Sequence, residues 1–132
     1  VHQSLTDGED SFMHLSHDHP DGWGLAYYVA GSPHVIKSES SAVSCNLFKR
    51  VSGIAKSETV LAHLRKATAG SVEIANTHPF QYGSWVFAHN GNIKSLGKFR
   101  STIEAKIEPR LRSFILGDTD SELIFYFLLS FL

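Results

Sequence analysis

Apolar and polar positions along this chain follow two different spacings, and the switches between them divide it into elements. "WGLAYYVAG" (residues 23–31) is a nearly continuous apolar run and predicts a strand. "GSPH" supplies turn chemistry, and "HVIKSES" is the expected antiparallel partner. In "TVLAHLRKAT", Val60, Ala62 and Leu64 alternate with Leu61, His63 and Arg65, which predicts a strand carrying polar groups toward its end. "WVFAH" (85–89) is the next strand. Asn90-Gly91 follows it directly, and Asn-Gly after apolar residues is the strongest short hairpin signal because both residues tolerate positive φ. Helices are predicted over 4–17, 41–53 and 94–107. The first carries Leu5, Phe12, Met13 and Leu15 but is weakened by Gly8, and the third is interrupted by Gly97. A last helix opens in "GDTDSELIF", where Thr119 and Glu122 have capping-box spacing. It continues through "SELIFYFLLSFL", apolar on all sides as a buried helix is, and shorter than the roughly 20 residues that span a bilayer.

With 132 residues, no repeat, no low-complexity tract and no linker, residues 1–132 read as one α+β domain with a substantially antiparallel sheet. The composition, 42% hydrophobic and 19% charged, excludes disorder and a disulfide scaffold. A net charge of −1 offers nothing to nucleic acid or an anionic membrane. Half of the twelve basic residues lie between Lys94 and Arg112, interleaved with Glu104 and Glu108. The Glu108–Arg112 spacing is favourable on a helix, so this cluster reads as a solvated face. The single cysteine, Cys45, suits a reducing, cytoplasmic compartment and reads as a small core hydrophobe on the face formed by Ala42, Val43, Leu47 and Val51. "HLSHDH" suggests metal, yet His14, His17 and His19 share no clear helix face and no ligand motif accompanies them. No metal and no cofactor is expected.

Three polar clusters sit at predicted element ends: "HLRKATAG", "HNG" and "GDTD". Arg65 brings a planar charged fork suited to a carboxylate, and Asp120 brings the complementary acid. Together they would hold an α-amino acid; separately they would make unrelated surface or capping contacts. Asn90-Gly91 is equally double. It is a turn, or it is an oxyanion hole in which a carboxamide N–H and a backbone N–H converge on a developing negative oxygen. Residue types alone leave both pairs open.

"HPDGWGLAYY", "AHLRKAT", "NTHPF", "FAHNGNI" and "GDTDSE" occur in the order found in class II glutamine amidotransferase domains, and the chain resembles the stand-alone members most. The resemblance implies an N-terminal nucleophile hydrolase fold, an αββα four-layer sandwich with antiparallel sheets, here incomplete at both ends. It implies hydrolysis of the glutamine side-chain amide or another γ-glutamyl amide, a small-molecule substrate, and in some members a synthase partner subunit. It assigns Asn90 and Gly91 to the oxyanion hole, Arg65 to the substrate α-carboxylate with Thr68 in the same loop, and Asp120 to the α-amino group. His63 and His78 become supports near the site, and Trp23 a packing residue. Lys66 stands where some synthase-linked relatives carry Trp, which leaves the exact substrate open.

The family's nucleophile is a Cys at the mature N-terminus, whereas position 1 here is Val and Cys45 matches no family motif. The missing Met and the hydrophobic run still open at Leu132 lead us to expect that further segments complete the protein and supply the Cys upstream. The 132 residues alone are then expected to be inert. The alternative is a degenerate, non-catalytic domain that binds a γ-glutamyl ligand or a partner protein.

Overall fold

The computed structural model describes residues 2–132. Two short helices, α1 (His2–Thr6) and α2 (Phe12–Leu15), open the chain. They replace the one helix expected over 4–17, because Gly8 takes φ +93° and Ser11 caps α2 by accepting from His14 N. Strand β1 (Trp23–Val29) is the centre of a three-stranded antiparallel sheet in the order β2-β1-β3, with β2 at Ser32–Ser38 and β3 at Val60–Leu64. The β1–β2 turn falls at Ala30-Gly31, both with positive φ, two residues earlier than "GSPH" suggested. The helix expected over 41–53 is a 3₁₀ turn (Ala42–Ser44) followed by α3 (Asn46–Ile54), with Cys45 between them as the N-cap of α3.

A second antiparallel pair, β4 (Phe80–Tyr82) and β5 (Trp85–Phe87), forms a hairpin. Its turn is Gly83-Ser84, not Asn90-Gly91. The hairpin reading of Asn-Gly is therefore corrected: the partner strand of "WVF" precedes it, and Asn90-Gly91 leads out of the strand into a loop. After the loop come α4 (Leu96–Lys106), α5 (Pro109–Arg112) and α6 (Asp120–Leu129). The expected Glu108–Arg112 pair does not form. Pro109 restarts the helix, Glu108 pairs with Arg110 instead, and Arg112 donates to the carbonyls of Ala105 and Ile107. The i,i+4 pair on this stretch is Arg100–Glu104, at 2.8 Å. Half of the capping box is present at α6: Thr119 Oγ1 accepts from Glu122 N, but the Glu122 carboxylate turns to accept from Leu116 N and Gly117 N.

Two apolar clusters organise these elements. Leu5, Trp23, Leu25, Phe48 and Val51 pack between the three-stranded sheet and helices α1 and α3, with Cys45 against them and Trp23 edge-on to Phe48. Phe80, Leu96, Ile107, Leu111, Leu123 and Phe125 join the β4–β5 hairpin to α4, α5 and α6. Where the two meet, His78-Pro79 lies directly on β1. A Cβ on Gly24 would stand 1.8 Å from the His78 carbonyl oxygen, so only glycine permits that approach. No helix among the described residues is long and apolar enough to cross a membrane.

Candidate active site

Arg65 follows the last residue of β3, and its backbone is clamped by the turn preceding β1. Arg65 N donates to Gly22 O at 2.9 Å, and Arg65 O accepts from Asp21 N at 3.1 Å. Asp21 Oδ2 accepts from Ala67 N at 2.8 Å. The Pro-Asp-Gly turn thus holds the loop carrying Arg65 and Thr68 in place. Arg65 is only 4% exposed. Its Nη2 donates to the carbonyls of Ala69 and Gly70, but Nη1 has no partner among the described residues, and no carboxylate pairs with it. Burial of an unpaired charge is costly, so an arginine held this way has capacity for an anionic ligand.

Asp120 is the first residue of α6, where the helix dipole favours a carboxylate. It is 8% exposed. Oδ2 accepts from Ile93 N at 2.7 Å and Oδ1 accepts from Ser121 Oγ at 3.2 Å. The Ser121 oxygen is in turn 3.0 Å from His89 Nδ1. Asn90 and Gly91 follow His89 and are exposed to the cleft. Gly91 has φ +141°, a conformation that L side chains rarely adopt.

All five residues singled out from the sequence, Arg65, Thr68, Asn90, Gly91 and Asp120, line one cleft of about 690 Å³. Arg65 and Asp120 open on the same cleft, each held by its own local hydrogen bonds. His63 and His78 line it too, with ring centroids 4.3 Å apart. Burial, reinforced by His63 and His89 nearby, pushes the His78 imidazole down to about 3. Burial also lowers His63, against the Asn90 carboxamide and the His89 backbone, which favour its charged form. These two rings are neutral at neutral pH, so the charged groups lining the cleft are the buried Arg65, the exposed Lys66 and the buried Asp120. Phe12 and Leu15 add an apolar wall.

The residues that sequence reasoning passed over are the ones that tie the loops together. Asn76, buried and within "NTHPF", bridges Ser71 and Asp118, while Ser121 and His89 link α6 to the Asn-Gly loop. Each lies inside a motif of the sequence, but only their partners reveal a role. Cys45 does not line the cleft and packs against the core around Trp23 and Phe48. Among the described residues, no group of three or more His, Cys, Asp or Glu is arranged to hold a metal ion.

A cleft with these features, set at the end of β3 and the start of α6, defines a class that comparison with known proteins identifies. The family profile described as "Glutamine amidotransferases class-II" matches residues 8–132, and the chain belongs to that family. It is 38% identical over 130 residues to the uncharacterized protein MJ1515 of Methanocaldococcus jannaschii, covering 92% of this chain and 33% of that protein. It is 35% identical over 74 residues to the gamma-glutamyl-hercynylcysteine sulfoxide hydrolase of Mycobacterium tuberculosis, covering 55% of this chain and 32% of that one. The solved glutamine aminotransferase class-II domain protein SPO2029 of Silicibacter pomeroyi matches with a TM-score of 0.69 and 30% identity, over 83% of this chain and 47% of its own. The fold is thus the N-terminal nucleophile hydrolase type, as the sequence resemblance implied. The chain spans about a third of the length of these curated relatives.

Proposed function

We propose that residues 1–132 are part of an amidohydrolase domain that cleaves a γ-glutamyl amide, supplying its substrate-recognition and oxyanion groups. The observation that carries this reading is charge complementarity. A buried guanidinium with a free Nη1 and a buried carboxylate line one cleft, and an α-amino acid head group offers the matching pair of charges. Arg65 takes the α-carboxylate, with Thr68 in the same loop, and Asp120 takes the α-ammonium. The side chain then extends toward Asn90 and Gly91.

In the reaction so built, a Cys thiolate from outside these 132 residues attacks the amide carbon. The carbonyl electrons move onto oxygen, where the Asn90 carboxamide N–H and the Gly91 backbone N–H stabilise them. Collapse expels the amine, which takes the proton that the Cys α-amino group received from the thiol, and leaves a γ-glutamyl thioester. Water cleaves the thioester, releasing glutamate and restoring the thiol. The relative named as a gamma-glutamyl conjugate hydrolase supports a γ-glutamyl peptide or thiol conjugate as substrate. Free glutamine, with ammonia passed to a synthase partner, is the competing substrate. The lone cysteine is consistent with a cytoplasmic setting.

The test is peptide mapping of the full-length natural protein after treatment with a glutamine-mimicking diazoketone. One adduct on a processed N-terminal Cys, blocked by excess γ-glutamyl substrate, is expected. No adduct and no such Cys would establish the non-catalytic binding domain instead.

A further inference from the structure

We propose that Ser121 and His89 form a positioning relay that ties the ammonium-binding carboxylate of Asp120 to the oxyanion loop. This deepens the reading above and rests on it. The direction of each hydrogen bond follows from donor inventory. An ionised carboxylate only accepts, so the Ser121 hydroxyl must donate its single proton to Asp120 Oδ1, 3.2 Å away. Its oxygen is left as an acceptor, and the 3.0 Å contact with His89 Nδ1 then requires the proton to sit on Nδ1. The other carboxylate oxygen accepts from Ile93 N at 2.7 Å.

The consequence lies in the order of residues along the loop. His89 immediately precedes Asn90-Gly91, and Ile93 follows two residues later. Both flanks of the exposed 90–92 segment are therefore anchored to the same carboxylate, one through Ser121 and one directly. Ser121 is 3% exposed, so water does not readily replace its hydroxyl. A carboxylate offers about four lone-pair sites, and two are used here, which leaves the remainder for an ammonium. The relay sets the distance between the group that holds the substrate's head and the donors that meet its γ-carbonyl oxygen. An error of about 1 Å in that alignment is enough to cost roughly 100-fold in rate.

Two amide substitutions separate the ring nitrogens. His89→Asn places an N–H where Nδ1 stands, and His89→Gln places one where Nε2 stands. Steady-state hydrolysis of a γ-glutamyl anilide by the full-length protein is the readout. His89→Ala, His89→Gln and Ser121→Ala are each expected to lower kcat roughly 10- to 100-fold with a smaller change in KM. His89→Asn recovers most of the His89→Ala loss. The Ser121→Ala/His89→Gln double variant is no slower than the worse single, because both cut one chain. Should Ser121→Ala fail to fold, the His89→Asn and His89→Gln comparison decides alone. Equal activity of these two, or greater activity of His89→Gln, overturns the relay while wild-type turnover upholds the site. Absence of turnover in the wild type overturns the site and the relay together.

Discussion

Asn76 and Asp118 exchange a reciprocal pair of hydrogen bonds: Asn76 Nδ2 donates to Asp118 Oδ1 at 2.7 Å, and Asp118 N donates to Asn76 Oδ1 at 3.0 Å. Asn76 Nδ2 also reaches the Ser71 carbonyl at 3.1 Å. One buried carboxamide thus joins the loop that follows Arg65 to the turn that precedes Asp120. The loops that carry Arg65 and Asp120 are joined by this latch. Asn76→Ala leaves the Asp118 N–H without its partner and is expected to cost about 2 kcal/mol. Urea denaturation measures it, and an unchanged midpoint would show that the latch contributes nothing.

Two glycines give opposite expectations for the same substitution. Gly24→Ala drives a methyl into the His78 carbonyl, 1.8 Å from the ideal Cβ, and backbone on both sides leaves no easy relief. A loss of about 3 kcal/mol or more is expected. Gly53, in α3, has nothing within 4 Å of its Cβ position and no positive φ. Gly53→Ala should stabilise by up to about 1 kcal/mol. Thermal unfolding of the two variants beside the wild type checks both signs at once.

Arg65 and Asn90 should fail in different kinetic parameters. Arg65→Lys keeps the charge but loses the fork, and removal of a charge-assisted hydrogen bond is worth about 1.5–3 kcal/mol, or roughly 10- to 100-fold in KM. Asn90→Ala removes one oxyanion donor and is expected to lower kcat by about 10²–10³ with KM little changed. Kinetics of the full-length protein on a γ-glutamyl anilide distinguish them. An unaltered KM in Arg65→Lys would remove its guanidinium from the binding site.

Acid should loosen this fold through its buried imidazoles. His78 binds a proton near pH 6.5 when unfolded but only at about 3 when folded. The unfolded state therefore holds more protons between those values, and stability is lost as pH falls from 6.5 toward 3. His63 shifts the same way. Each group contributes a slope of at most about 1.4 kcal/mol per pH unit. Glu122, raised by burial, acts with the opposite sign nearer its own range, so His78→Phe isolates the effect. Unfolding free energies at pH 7.0 and 5.5 should differ less in that variant than in the wild type.

Much of the layout was legible along the chain. Alternation in "VLAHL", the apolar run of "WGLAYYV" and the Thr119 cap each report local backbone preferences, and each element formed within a few residues of its expected span. Local signals failed where a competing contact outweighed them. Asn90-Gly91 has hairpin chemistry, yet "WVF" pairs with "FQY" across Gly83-Ser84, so the Asn-Gly pair is released into a loop. Glu108 and Arg112 have helical spacing, yet α5 begins at Pro109 and leaves Glu108 outside it as the N-cap.

The sequence by itself determined which groups are on offer: a guanidinium, a carboxylate, an Asn-Gly pair and the order of motifs that carries the family likeness. Side-chain chemistry and turn preference are properties of a few neighbouring residues, and they survive without the fold. Only the tertiary structure decided that Arg65 is buried without an acid, that Asp120 shares its cleft, and that Ser121 and Asn76 brace the loops between them. Arg65 and Asp120 are far apart along the chain, and no local preference encodes their meeting. The packing of His78-Pro79 on β1, which Gly24 permits, and the reciprocal hydrogen bonds between Asn76 and Asp118 hold their loops together.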